Sequence, residues 1–276
     1  MLDDTTRAIV DRAVAADAPL VWLTGAGISA ESGIPTFRGE EGYWRVGSRH
    51  YRAQEMATRA AFDAMPDEVW SWYLYRRSVC RQAAPNPAHL ALAELEQTVG
   101  ERFRLVTQNV DGLHLRAGND VDRTWQIHGN IDYMRPVGGG PRIPIPLAIG
   151  DDWGKGRTLT DDERALLTHD GEPCRPHVLW FDETYDEENY RFESALEAAL
   201  EMSLLVVVGT TGQTSLPHHM GLVAQKRRVP MLVINPEANP FVDMMRTSGA
   251  GVFLEGTAGE WVPQVAEAIA GAFARG

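Results

Sequence analysis

Cysteine is nearly missing from this chain of 276 residues: only Cys80 and Cys174 occur. Two thiols do not make a disulfide framework and suit a reducing compartment. Lysine is as scarce, since only Lys155 and Lys226 stand among the 26 basic residues. Positive charge is in deficit altogether, with 38 Asp and Glu giving a formal net charge of −12. Such a balance repels a nucleic-acid backbone and attracts basic segments. No apolar run approaches the roughly 20 residues of a membrane span. The opening MLDDTTRAIVDRAVAADAPL is acidic and helical in period, without the basic start and long apolar core of a signal peptide. Low-complexity tracts and internal repeats are absent too. The expectation is a soluble, cytoplasmic monomer with neither nucleic-acid nor membrane partners.

With 44% hydrophobic residues the chain can bury a sizeable core, and its length suits one large α/β domain carrying a smaller insertion. Short apolar runs without alternation at 20–24, 102–107, 124–128, 177–181, 204–209, 230–234 and 251–254 suit strands covered on both faces. Helical periods fall between them at 3–17, 66–82, 87–98, 186–201, 217–227, 239–247 and 260–273. This alternation predicts a doubly wound parallel sheet, Rossmann-like. Two regions break the pattern, 36–84 and 131–175, and are assigned to a smaller module. The sheet part then comprises 1–35, 85–130 and 176–276.

The most informative stretch is GAGISAESGIPTFR, Gly25 to Arg38, directly after the apolar run LVWL. Gly25 and Gly27 would let backbone N–H groups approach a pyrophosphate, and Ser29 to Glu31 would open a helix whose positive end faces it. The match to a dinucleotide fingerprint is imperfect, because Ala30 stands where the third glycine is expected. Three further segments put polar groups just past a strand end: TQNVDGLH (107–114), HGN (128–130) and GTTGQTSLP (209–217). Open α/β sheets build their ligand crevices at that edge.

Taken together and in this order, the four segments resemble the sirtuin family of NAD-dependent protein-lysine deacylases, over about Leu20 to Pro263. The resemblance implies NAD as cosubstrate and acyl-lysine proteins or peptides as partners. It implies a reaction in which the acyl-lysine amide oxygen attacks C1′ of the nicotinamide ribose, nicotinamide leaves, and the acyl group passes to ADP-ribose. His128 would deprotonate a ribose hydroxyl, as an imidazole of near-neutral pKa can. Asn109 and Asp111 would position the ribose and carboxamide, and Gln108 would hydrogen-bond the ribose. Gly25, Ala26 and Gly27 would line the phosphates, Gly209 and Thr210 the phosphates or ribose, Asn235 the adenosine ribose and Ala258 the adenine. Phe37 would shield the reacting face and Arg38 would pair with a phosphate.

Substrate residues follow from the same resemblance. VLWFDE, with Val178, Trp180 and Phe181, corresponds to the strand that pairs with a peptide by β-augmentation. Tyr73 and Arg76, three apart on a helix begun by Pro66, resemble the pair that binds the distal carboxylate of succinyl or malonyl groups, with Ala61 keeping the pocket roomy. This sequence also departs from the family. The usual zinc cysteines are absent, and although Cys174, His177 and His169 stand close in sequence, the favoured expectation is a metal-free module held by packing and by PRIPIP. Thr36 replaces a frequent Asp, Asp182 replaces a glycine of the peptide strand, and SLP replaces its usual second flank. Two competing readings stay open: an ADP-ribosyltransferase or NAD glycohydrolase on the same scaffold, and a non-catalytic NAD or ADP-ribose binding module.

Overall fold

The computed structural model of the chain describes residues 1–36 and 43–275. In chain order its strands are β1 (Leu20–Thr24), β2 (Tyr43–Val46), β3 (Arg49–Arg52), β4 (Phe103–Thr107), β5 (Thr124–Gln126), β6 (Gly129–Pro136), β7 (Ile143–Pro144), β8 (Thr168–His169), β9 (Glu172–Val178), β10 (Leu204–Val208), β11 (Met231–Asn235) and β12 (Gly251–Glu255). Six of them form a parallel sheet of order β12-β11-β10-β1-β4-β5. The chain builds outward from β1 to β5, then returns to the other side of β1 and builds from β10 to β12. The strand order therefore reverses between β1 and β10, where doubly wound sheets hold their ligands.

Both faces of this sheet are covered, which is why its strands read as unbroken apolar runs. Leu20, Trp22, Leu105, Val206 and Ile234 pack on one side against helices Asp4–Ala15, Pro87–Val99 and Ala258–Arg275. Val21, Leu23, Val106, Val207 and Val233 pack on the other against Phe192–Glu201, Ser215–Arg227 and Pro240–Ser248. The helix Pro87–Val99 shows how the sequence enforces this. Asn86 caps it by accepting from the Ala88 and His89 amides, Pro87 fixes its first turn, and Ala88, Leu92, Leu95 and Val99 recur at helical spacing on the buried side.

A second core lies apart from the sheet. Phe62, Val69, Trp70, Leu74, Ile131, Met134, Trp153 and Trp180 cluster around the helix Pro66–Gln82 and an antiparallel sheet of order β7-β6-β9-β8. Three expectations change here. The run 177–181 does not join the parallel sheet: its first residues end β9, antiparallel to β6. The span 186–201 is broken by Arg191, which has φ 54°, into helices Glu187–Tyr190 and Phe192–Glu201. The segment after β1 is a 3₁₀ helix, Ala26–Ser32, in place of an α-helix start.

Candidate active site

The site grows from three strand ends. Past β1, the Gly25 amide donates to the Val208 carbonyl and the Gly27 amide to the Gly209 carbonyl, at 2.9 and 2.8 Å. The N–H groups expected to face a pyrophosphate are thus spent on tying β1 to β10. The glycines serve a different need: a Cβ on Gly27 would lie 2.6 Å from the Gly209 Cα. Side chains at either position would push the two loops apart at the reversal of strand order. Ala26, between the glycines, is half-buried at the start of the 3₁₀ turn.

Below this turn lies a buried polar cluster. The Ser29 hydroxyl donates to Asp111 Oδ2 at 2.7 Å and accepts from Asn109 Nδ2 at 3.1 Å; the same Asn109 amide donates to the Gly25 carbonyl. The Leu113 amide caps the other Asp111 oxygen at 2.8 Å. Burial still raises the Asp111 carboxyl above its ordinary range, against the pull of these donors and of Arg116 and Arg76. Beneath it, His89 lies within 3.4 Å of the Ser29 hydroxyl, and burial lowers its pKa to about 4. Ser29 and His89 were not foreseen as parts of the site. The usable signal was a hydroxyl in the first buried turn after a glycine pair, answered by the Asn86-Pro87-x-His89 helix start.

His128 follows β5. Its Nδ1 lies 2.9 Å from the Gln108 carbonyl oxygen, which can only accept, so the ring proton sits on Nδ1 and the lone pair on Nε2. Gly129 secures this placement. It has φ +86° and pairs with Val178, and a Cβ there would stand 2.1 Å from the His177 carbonyl oxygen. The Leu179 amide donates to the His128 carbonyl from the same seam. Burial lowers the His128 pKa to about 4, against the Gln108 contact that raises it. The near-neutral value expected from sequence is corrected accordingly: the ring is neutral because desolvation disfavours the imidazolium. The Gln108 side chain spans the crevice, donating to the Thr210 hydroxyl at 3.0 Å and accepting from the Thr214 hydroxyl at 3.0 Å. Nε2 meets the hydroxyl of Tyr185 at 2.8 Å. Neither Tyr185 nor Thr214 was legible as a site residue.

The far end of the crevice is formed by β11 and β12. Asn235 is half-buried, with its side-chain amide on the Glu237 carbonyl at 2.7 Å. Ala258 is buried at the start of the last helix. Glu31 joins the 3₁₀ turn to this end, accepting from Thr257 Oγ1 at 3.1 Å and the Gly259 amide at 2.6 Å. Phe37 and Arg38 lie outside the described residues.

The expected substrate residues divide. Trp180 is 1% exposed, an interior side chain where a groove contact was expected: Arg175 stacks 3.5 Å from its ring and its indole N–H donates to Tyr73 Oη at 2.9 Å. Tyr73 and Val178 are buried too, whereas Phe181 is 59% exposed. Arg76 lies 5.1 Å over the Trp72 ring, and its charge reaches both Tyr73 and Asp111. Asp182 accepts from the Arg59 and Ala60 amides and so caps the helix Arg59–Ala64. Among the described residues no three His, Cys, Asp or Glu side chains are grouped to hold a metal. Cys174 is buried in the second core and His177 stacks on Tyr190.

The chain is similar to known proteins in sequence and fold. Residues 25–215 match the model of the Sir2 family. A protein of Leptospira interrogans named NAD-dependent protein deacylase is 37% identical over 251 residues, covering 90% of this chain and 91% of the relative. The zebrafish (Danio rerio) mitochondrial NAD-dependent protein deacylase sirtuin-5 is 36% identical, covering 89% and 81%. A crystal structure of a Sir2 homolog in complex with NAD superposes with a TM-score of 0.77 at 30% identity, covering 99% and 96%. By family model, by identity over nearly its whole length and by fold, the chain belongs to the Sir2 family.

Proposed function

We propose that the chain is an NAD-dependent protein-lysine deacylase that passes the acyl group to ADP-ribose and releases nicotinamide. One observation carries the reading: a neutral His128, past the carboxyl end of the edge strand β5, has Nδ1 held by the Gln108 carbonyl that follows β4 and its lone pair on Nε2. Binding alone requires no such base. A dinucleotide is the ligand we assign to this crevice, where the bare Gly27–Gly209 contact keeps side chains out and Gln108 and Thr210 present an amide and a hydroxyl. Ala26 and Thr210 would border its phosphates and ribose, with Gly25, Gly27 and Gly209 keeping the two loops close beside them, and Asn235 and Ala258 its adenosine end. Bound NAD would supply an electrophilic ribose carbon with nicotinamide as leaving group. His128 would then take the proton of a ribose hydroxyl at Nε2. Asn109 and Asp111, fixed through Ser29, would orient the ribose, and the buried setting would keep water away. Phe37 and Arg38 keep the roles that the family resemblance gives them. We take the protein to act as a cytoplasmic monomer.

We further propose a preference for acidic acyl groups. The Tyr73 oxygen accepts from Trp180, which leaves its own proton to donate to a carboxylate, and the Arg76 charge is felt at the same phenol. One observation favours the competing NAD glycohydrolase. The Trp180 amide is taken by the Glu183 carboxylate and its carbonyl by the Glu183 amide, so this part of the peptide edge is closed by its own turn.

The test is turnover of succinyl-lysine and acetyl-lysine peptides side by side, following nicotinamide and acyl-ADP-ribose. His128→Ala is expected to lower turnover about 100-fold or more. Nicotinamide release without acyl-ADP-ribose would replace the deacylase with the glycohydrolase.

A further inference from the structure

The His128 ring has one lone pair, on Nε2, and the Tyr185 hydroxyl occupies it at 2.8 Å. Nitrogen in the ring plane accepts one hydrogen bond, so a ribose hydroxyl and this phenol cannot both donate to it. Tyr185 follows β9 in the turn before the helix Glu187–Tyr190, and its ring stacks on Phe192 at 6.1 Å between centroids. Its hydroxyl also interacts with Thr214, whose own hydroxyl donates to Gln108 Oε1. The phenol therefore has a second partner within the same polar cluster.

We propose that Tyr185 is a positioning residue that stands in for the substrate hydroxyl at His128 Nε2 and must yield it, moving toward Thr214, before His128 acts as a base. The inference rests on the proposed role of His128. With its place taken by the phenol, Nε2 stays desolvated and oriented while no ribose is present. Arrival of the ribose exchanges one O–H donor for another, with no net loss of hydrogen bonds. Burial raises the Tyr185 pKa to about 12, so the phenol remains a proton donor at neutral pH and is not itself a competing base. No charged side chain enters the balance at His128, whose surroundings act through burial and the Gln108 carbonyl.

Tyr185→Phe removes the hydroxyl and keeps the ring against Phe192. In the ligand-free variant, NMR titration of the His128 ring is expected to show a higher pKa than in the wild type, because the donor that favours the neutral ring is gone. Calorimetry with ADP-ribose is expected to show three- to tenfold tighter binding, with a matching fall in the KM for NAD and kcat within about twofold of wild type. An unchanged His128 pKa would overturn the contact itself, and unchanged ADP-ribose affinity would overturn the exchange. A fall in kcat of tenfold or more at unchanged KM would also overturn it, since the phenol would then be passing the proton on. Failure of the underlying reading is separate: wild-type protein that does not bind ADP-ribose removes the NAD site, while the ligand-free titration still reports on Tyr185.

Discussion

The two cores of this protein are held in different ways. The parallel sheet is fixed mainly by backbone ladders and apolar side chains, with polar groups gathered at the carboxyl ends of the strands and one buried carboxylate, Glu96, holding Arg123 and Asn119 ahead of β5. The smaller module, with its short antiparallel strands, leans on buried polar clamps. Arg175, 2% exposed, pairs with Glu183, donates to the Val178 carbonyl and stacks on Trp180. Arg77 and Arg81 share Asp132 and Asp151. A sheet specified by area burial tolerates exchange of one apolar residue for another, whereas a clamp fails when one partner is removed.

Acidification is the strongest way to break the comparison, because it strikes both regions. Burial lowers His89 to about 4 in the sheet part and His177, helped by Arg135 and Arg142, to about 3 in the module. Both lie below the unfolded value of about 6.5, so the unfolded chain takes up protons first. The stability these rings contribute is present above pH ~6.5 and is lost as the pH falls toward 4, by roughly 3 kcal/mol each. Thermal unfolding at pH 7, 5.5 and 4 should show a steep fall in Tm, shallower in His177→Phe. A Tm constant to pH 4.5 would mean that these rings are not buried neutral.

Removing one clamp should separate the regions. Glu183→Ala leaves the Arg175 charge buried and is expected to cost about 3 kcal/mol, with hydrogen exchange accelerated in β6 and β9 while β1 and β10 keep their protection. Uniform acceleration would show that the two cores unfold as one. Gly129→Ala acts at the seam between them. Its Cβ would meet the His177 carbonyl at 2.1 Å from a positive φ, and a loss of about 1–3 kcal/mol is expected from overpacking and strain. Deacylation should fall further than stability predicts, because His128 is displaced. The smallest effect is on specificity. Arg76→Met is expected to lower the succinyl-to-acetyl turnover ratio about tenfold at nearly constant Tm; an unchanged ratio would remove the carboxylate role of Arg76.

The same contrast explains what could be read from sequence. Strands β1, β4, β10 and β11 were legible because apolar runs buried on both faces leave a strong pattern, and the crevice followed from what stands just after them. Gln108, Asn109 and Asp111, just past β4, came within reach for that reason, and His128 through the shorter run that ends in β5. The module was not legible in this way. That Trp180 turns inward to hold Tyr73 and that Asp182 caps a helix whose first residue stands 123 positions away depend on long-range partners. Tyr185 was missed for a like reason, since its role comes from a ring that reaches back to His128 across 57 positions. Even Gly25 and Gly27, found by their motif, serve contacts between loops that no local pattern reveals.

Asp182 has one more consequence. Through the amides of Arg59 and Ala60 it fastens the turn after β9 to the helix pair that carries Tyr73 and Arg76. The surface that would meet a peptide backbone and the residues that would select its acyl group are thus inherited as one piece. A lineage that altered either alone would strain the other, so changes in sequence preference and in acyl preference should arise together.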